Sequence, residues 1–290
     1  MEKKLKKLSK RVNFYLKSHL SKLNSKELIT PMKYGLFPGG KKIRSKIIFD
    51  VGKIFNVKKN NLLILSASVE AIHAYSLIHD DLPCMDDDKL RRGKASTHIK
   101  FGESTAILAG NSLLTTAFEI LSDKNFKIED KIKSRLINFL SRCSGQTGIA
   151  GGQFLDLSYE KKKVSLQKIL SMELKKTGKL FEFCCLAPAI VSGKNKRVKK
   201  DMSFIGEELG FLFQIADDLL DIKGSKTNVG KPVKKDKKKG KSTLIKLLGY
   251  NKTLEFAFTR KKMIINKLKK YGVKSNKLIK ITDFILDRSY

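Results

Sequence analysis

The chain has 290 residues, 41 % of them apolar, no Trp, and 61 Lys and Arg against 28 Asp and Glu, a formal charge of +33. That length is ample for a buried core and fits one large domain or two small ones. The charge would suit nucleic acid, but 52 of the basic residues are Lys spread along the whole chain and only 9 are Arg, and the aromatics do not interleave with the basic runs, so specific nucleic-acid readout is not expected.

In chain order, residues 1–20 carry Leu5, Leu8, Val12 and Leu16 at helical spacing and lack the continuous apolar block of a signal peptide, which predicts an ordinary first helix. Phe37-Pro38-Gly39-Gly40 is a loop, followed by Lys41 and Arg44 at i, i+3. Three- or four-residue apolar recurrence predicts helices over 61–79, 106–121, 132–144, 166–175, 181–191, 202–220 and 244–269, with loops at 91–98, 158–164 and 193–199. Residues 224–240 hold Gly, Ser, Asn, Pro and seven Lys, and read as a linker or as a flap that orders on an anionic ligand. Strand alternation bounded by hairpin turns is missing, so the expectation is a single all-α domain over 1–290. No stretch approaches the ~20 apolar residues of a membrane span. The cysteines Cys84, Cys143, Cys184 and Cys185 form no CxxC pair or disulfide framework, which fits a reduced cytosol.

Two aspartate clusters carry the chemistry: Asp80-Asp81-Leu82-Pro83-Cys84-Met85-Asp86-Asp87-Asp88 and Asp217-Asp218-Leu219-Leu220-Asp221. Carboxylates crowded beside apolar residues repel one another and lose hydration, so a cation must neutralise them. Oxygen ligands with no Cys-His pattern suit Mg²⁺, which shares its coordination with substrate phosphates. Asp217 and Asp221 lie about 40° apart on one helical face, and Gln214 with Asp218 is a second i, i+4 pair. Asp80 and Asp86 converge only if the helix is disturbed between them, for which Pro83 supplies the reason. His73, seven residues before Asp80, falls nearly on its face, where a ligand and a core histidine are both open readings. Arg91-Arg92 stands out among the cations, because Arg is scarce here and binds phosphate bidentately. Lys176-Thr177-Gly178-Lys179, Lys231 and Lys241 are further candidates.

These blocks resemble the trans-isoprenyl diphosphate synthases, and within them the bacterial farnesyl diphosphate synthases. The matching text is Gly-Gly-Lys-Lys-Ile-Arg at 39–44, Tyr-Ser-Leu-Ile-His-Asp-Asp-Leu-Pro-Cys-Met-Asp at 75–86, Leu-Arg-Arg-Gly at 90–93, Gly-Gly-Gln-Phe-Leu-Asp-Leu at 151–157, Lys-Thr-Gly-Lys at 176–179, Phe-Gln-Ile-Ala-Asp-Asp-Leu-Leu-Asp at 213–221 and Gly-Lys-Ser-Thr at 240–243. The resemblance implies helices around a deep central cavity, a homodimer, and commonly three Mg²⁺ ions, with Mn²⁺ as a substitute. It makes Asp80, Asp86 and Asp217 the metal-ligand candidates, supported by Asp81, Asp218 and Asp221 directly or through water. Arg91, Lys176, Gln214, Lys231 and Lys241 would hold an allylic diphosphate, with Thr177 near the bond-forming centre. Lys41, Arg44, His73 and Arg92 would hold isopentenyl diphosphate. Lys42, Ser45 and Asn111 depart from the family's usual Arg, Pro and Asp.

The implied reaction joins isopentenyl diphosphate to dimethylallyl and geranyl diphosphate through an allylic carbocation, with electrostatic stabilisation and positioning as the protein's contribution. Tyr75 and Ser76, just before Asp80, would set product length, and an aromatic at 75 is typical of farnesyl synthases. A geranylgeranyl synthase of the same fold is the alternative, and a non-catalytic subunit or scaffold a further one. A terpene cyclase would not need the separate Lys41/Arg44/Arg92 set.

Overall fold

Apolar residues three and four apart give a helix one buried face, and most of the chain realises that pattern. The computed structural model describes residues 2–23, 26–223 and 243–287. By their internal contacts these fall into two units, one with the described residues up to Phe49 and Val57–Ile137, the other with Asp50–Asn56 and the described residues from Asn138 onward.

The first unit contains α1 (Glu2–Leu20), α2 (Lys26–Leu36), most of α3 (Ile43–Ile54), α4 (Lys59–Asp80), α5 (Thr97–Phe101), α6 (Glu103–Ser122) and the first half of α7 (Asp130–Ser144). Its centre is α4, packed by α1, α2 and α6. Ile64, Leu65, Ala67, Val69, Ala71 and Ile72 are all 0 % exposed, so α4 is buried around its circumference rather than along one stripe. Each such branched side chain contributes about 1.5–3 kcal/mol on burial. The expectation that no segment reaches spanning character is corrected here, since α4 is long and apolar enough by composition to cross a membrane. Ser66, Ser68 and Glu70 interrupt its apolar run without lowering its hydropathy enough. With 72 % of its apolar window buried inside the protein, it is a core helix.

A small antiparallel hairpin follows α4: β1 (Leu90–Arg91) pairs with β2 (Lys94–Ala95), Leu90 opposite Ala95 and Arg91 opposite Lys94. The two turn residues Arg92 (φ 52°) and Gly93 (φ 76°) both have positive φ, which suits the twist of a two-residue hairpin. The sequence reads this segment as loop because strands two residues long leave no alternation to detect.

The second unit holds the end of α3, the rest of α7, α8 (Ile149–Ser158), α9 (Leu166–Glu173), α10 (Lys179–Val191), α11 (Lys196–Lys223), α12 (Leu244–Leu248), α13 (Tyr250–Lys269) and α14 (Asn276–Asp287). Here α11 is central, with Leu209, Leu212, Ile215, Ala216 and Leu219 at 0 % exposure against α10, α13 and α14. A π-helical turn, Leu174–Gly178, joins α9 to α10 where the sequence suggested a break. Close approach fixes that turn against α11: a Cβ on Gly210 would stand 2.5 Å from Gly178 Cα, and one on Gly206 2.5 Å from Glu182 Cα. The fold is all-α, as expected.

Candidate active site

In the first unit, α4 stops at Asp80, three residues before Pro83, whose ring and missing N–H oppose a continuing helix. The chain then turns back. The Asp86 N–H donates to Asp80 O at 2.8 Å, and the Asp88 N–H to Asp81 O at 3.1 Å. Asp80 and Asp86 therefore start from one point of the fold, through a returning turn rather than a bent helix. Asp81 points elsewhere: it is 2 % exposed and accepts from Arg91 Nε at 2.9 and 3.1 Å and from Arg91 Nη2. Arg91 Nη2 also reaches Asp88 Oδ2 at 3.4 Å. The turn is thus locked by a charge-assisted fork.

The cations proposed for a second diphosphate lie in the same unit. Lys41 is half exposed, 3.7 Å from Glu2, and Arg44 opens α3. Arg92 donates to Gly39 O, and Gly40 leaves the room, since a Cβ there would lie 2.3 Å from Arg92 Nη1. His73 is held well below the ordinary imidazole pKa by burial and then by the charges of Arg44, Arg92, Lys42 and Arg91. A neutral imidazole ringed by guanidinium and ammonium groups is an environment that favours an anion. Ser76 is buried, its Oγ donating to His73 O at 3.0 Å, whereas Tyr75 is half-buried with its ring edge-on to His79. The Tyr75 phenol is pushed up by burial and by the Asp80 charge.

In the second unit, α11 runs unbroken through the second cluster, leaving Asp217 exposed, Asp221 partly exposed and Asp218 at 4 %. Gln214 Nε2 donates to Asp218 Oδ1 at 2.9 Å, and its Oε1 accepts from Thr177 Oγ1 at 3.0 Å. The π turn brings Thr177 and Lys176 to this place, and Lys176 Nζ pairs with Asp156 at 2.6 Å. Glu173, 3 % exposed, is pushed well above the usual carboxyl range by burial and then by Asp218 and Asp156. Lys179 is committed to Glu182 and Glu207 at 2.9 and 2.7 Å. Lys231, Lys241 and the 224–240 segment lie outside the described residues.

Sequence reasoning gave no role to Asp88, Asp156, Glu173, Glu70 or Ser45. Asp88 lay in the first aspartate cluster, Asp156 in the Gly-Gly-Gln-Phe-Leu-Asp-Leu block and Ser45 stood out as a departure; Glu70 and Glu173 are partners that reveal themselves only when helices pack. Among the described residues no three carboxylate, thiol or imidazole groups close a metal cage of their own. The carboxylates of Asp80, Asp86, Asp217 and Asp221 are nonetheless oxygen donors of the kind Mg²⁺ takes, completing its shell with water and phosphate oxygens.

Residues 25–281, which include both aspartate clusters and the candidate cations from Lys41 to Lys241, match the family described as polyprenyl synthetase. The chain belongs to the polyprenyl synthetase family. It is 38 % identical to the farnesyl diphosphate synthase of Escherichia coli (strain K12) over 267 residues, 90 % of this chain and 89 % of that one. An apo structure of an FPP/GFPP synthase from Zymomonas mobilis superimposes with a TM-score of 0.87 at 33 % identity, covering 98 % of this chain and 100 % of the other. A geranyltransferase from Helicobacter pylori, solved with magnesium and isoprenyl diphosphate, gives 0.84 at 30 % identity over 99 % and 96 %. As a polyprenyl synthetase, the chain has α1 wholly outside the matched span and both carboxylate sets within it.

Proposed function

We propose that the protein is a Mg²⁺-dependent prenyltransferase that condenses isopentenyl diphosphate with dimethylallyl and then geranyl diphosphate, releasing diphosphate and making (2E,6E)-farnesyl diphosphate for isoprenoid synthesis. It works as one polyprenyl synthase domain over 1–290, as a cytoplasmic homodimer, with three Mg²⁺ ions or Mn²⁺ in their place and residues 224–240 as a flap. One observation carries the reading. A chain 38 % identical to a farnesyl diphosphate synthase carries both carboxylate sets and also a separate set of cations, Lys41, Arg44 and Arg92.

Asp80, Asp86, Asp217 and Asp221 would hold the metal, which when bound would supply electrostatic stabilisation of the charge on the leaving diphosphate. That shared duty rests on the motif resemblance. Lys176, Gln214, Arg91 and, from outside the described residues, Lys231 and Lys241 hold the allylic diphosphate. Arg91 does so while its Nε and Nη2 secure Asp81, so it also sets the turn. Lys41, Arg44, His73 and Arg92 hold isopentenyl diphosphate with its alkene toward the allylic C1. The allylic C–O bond breaks, and its electron pair leaves with diphosphate. The alkene attacks C1, and a proton then passes to the departing diphosphate. Thr177, fixed by Gln214, lines the reacting centre. The protein's part is positioning and charge stabilisation.

The test is to incubate purified protein with Mg²⁺, isopentenyl diphosphate and each allylic diphosphate and separate the products by chromatography. A fifteen-carbon main product is expected. A twenty-carbon main product would instead favour the geranylgeranyl reading, and no product at all would favour a non-catalytic homologue.

A further inference from the structure

Glu70 lies on α4, three residues before His73, and is 3 % exposed. Its carboxylate accepts from Ser45 Oγ at 2.7 Å and from the Ser45 N–H at 3.4 Å. It also pairs with Lys42 Nζ at 3.1 Å, the two side chains being 7 % and 3 % exposed. Lys42 sits at φ 49°, a left-handed conformation that a side chain with a Cβ rarely adopts without compensation. The buried pair is that compensation, and it holds the backbone between Lys41 and Arg44. Arg92 clamps the other end of the same loop at Gly39 O.

Electrostatics joins these groups. Burial pushes the Glu70 carboxyl up, but Lys42, the Ser45 hydrogen bond and Arg44 outweigh it and leave it below the ordinary range, hence ionised. The Glu70 charge in turn acts on Arg92. Lys42, Arg44, Arg91 and Arg92 all act on His73, so an empty pocket would bring mutually repelling cations together. A carboxylate facing the substrate would offset them and repel diphosphate. One buried beneath the loop offsets them without meeting it.

We propose that Glu70 is a positioning residue for the second diphosphate: oriented by Ser45 and paired with Lys42, it keeps the 39–44 loop and the guanidinium groups of Arg44 and Arg92 assembled before substrate arrives. The proposal rests on the reading of those cations as ligands of isopentenyl diphosphate.

Glu70→Gln tests it, because the two outcomes differ in sign. If the cations stayed in place, removing a negative charge would tighten diphosphate binding. If Glu70 positions them, binding weakens. The expected result is a KM for isopentenyl diphosphate raised roughly 10- to 100-fold, with the KM for geranyl diphosphate and kcat each within about 3-fold of the parent. Ser45→Ala keeps the charge and loses one hydrogen bond, so a rise of only about 2- to 10-fold is expected. Calorimetric titration of inorganic diphosphate in EDTA, where the carboxylate sets cannot recruit a metal-bound anion, gives the same ranking without turnover. Unchanged or tighter diphosphate binding in Glu70→Gln overturns the proposal. So does a loss shared equally by both substrates, which would mark a merely structural ion pair. A parent protein that made no prenyl product would sink the functional reading alone, and the titration would still decide the role of Glu70.

Discussion

The backbone N–H of Asp86 donates to the carbonyl oxygen of Asp80 at 2.8 Å, so two carboxylates six residues apart leave the same point of the fold. Carboxylates carried from one point of the fold suit a shared divalent cation that takes its remaining ligands from water and phosphate. Replacing either by Ala should lower Mg²⁺-dependent turnover by roughly 10³-fold, about 4 kcal/mol of lost transition-state stabilisation. The helical circular dichroism should stay largely intact. Near-normal rates after EDTA treatment and Mg²⁺ restoration would refute the metal assignment.

Asp81, adjacent to Asp80, has the opposite character: it is 2 % exposed and its charge is met by Arg91. Arg91→Ala leaves that carboxylate buried and unpaired, which should destabilise the protein by about 3–5 kcal/mol in urea unfolding. Arg91→Lys restores the charge but cannot fork between Asp81 and Asp88, so part of the loss should remain. If Arg91→Ala unfolded at the parent's urea concentration while losing activity, Arg91 would be a substrate ligand only.

The all-α architecture was legible because helices such as α1 and α11 display their apolar periodicity directly, and so was the i, i+4 placement of Asp217 and Asp221. The return of Asp86 to Asp80 was half legible: Pro83 announced a break, but the turn's path depends on backbone bonds that no periodicity encodes. Glu70 and Glu173 were not legible as site groups, and Asp156 only through its motif block. A carboxylate inside an apolar helix reads as surface or as ligand until its partners, here Lys42 with Ser45 and Lys176, arrive from other elements. The π turn was hidden for a similar reason, since the close approach at Gly210 that fixes it is a tertiary event.

Glu173 gives a pH signature. Its carboxyl lies well above the ordinary 4.5, through burial first and then the charges of Asp218 and Asp156. For a pKa raised in the fold, the stability contribution is complete below the unfolded value and is lost as pH rises through the folded one. The parent should therefore lose stability above pH 4.5 relative to Glu173→Gln, which keeps the shape and does not ionise. In EDTA, the difference in unfolding free energy should grow as pH rises toward neutral and mildly alkaline values and vanish in acid. Parallel stability curves for the two proteins across that range would show that Glu173 ionises normally.

Product length should depend on Tyr75, and the packing around it says why. Its ring stands edge-on to His79 at 5.0 Å and 81°, and the His79 Nε2–H donates to Ile107 O on α6 at 3.1 Å. His79 is itself wedged where α6 has no side chain, since a Cβ on Gly110 would lie 2.2 Å from its Nε2. Tyr75 is thus braced through His79 against a second helix, and on the reading of Tyr75 as the pocket floor its truncation removes the obstacle outright. Tyr75→Ala should shift the main product from fifteen to twenty carbons, at a stability loss of roughly 2 kcal/mol for a half-buried ring. Ser76 is a different case. It is 8 % exposed with its Oγ tied to His73 O, so Ser76→Phe must push into packed surroundings, shortening the product toward ten carbons and costing about 1–3 kcal/mol by overpacking. Chromatography of the prenyl products beside urea unfolding of each variant separates the two effects. A Tyr75→Ala enzyme whose product profile matches the parent's, measured where both are fully folded, would take Tyr75 out of the pocket floor.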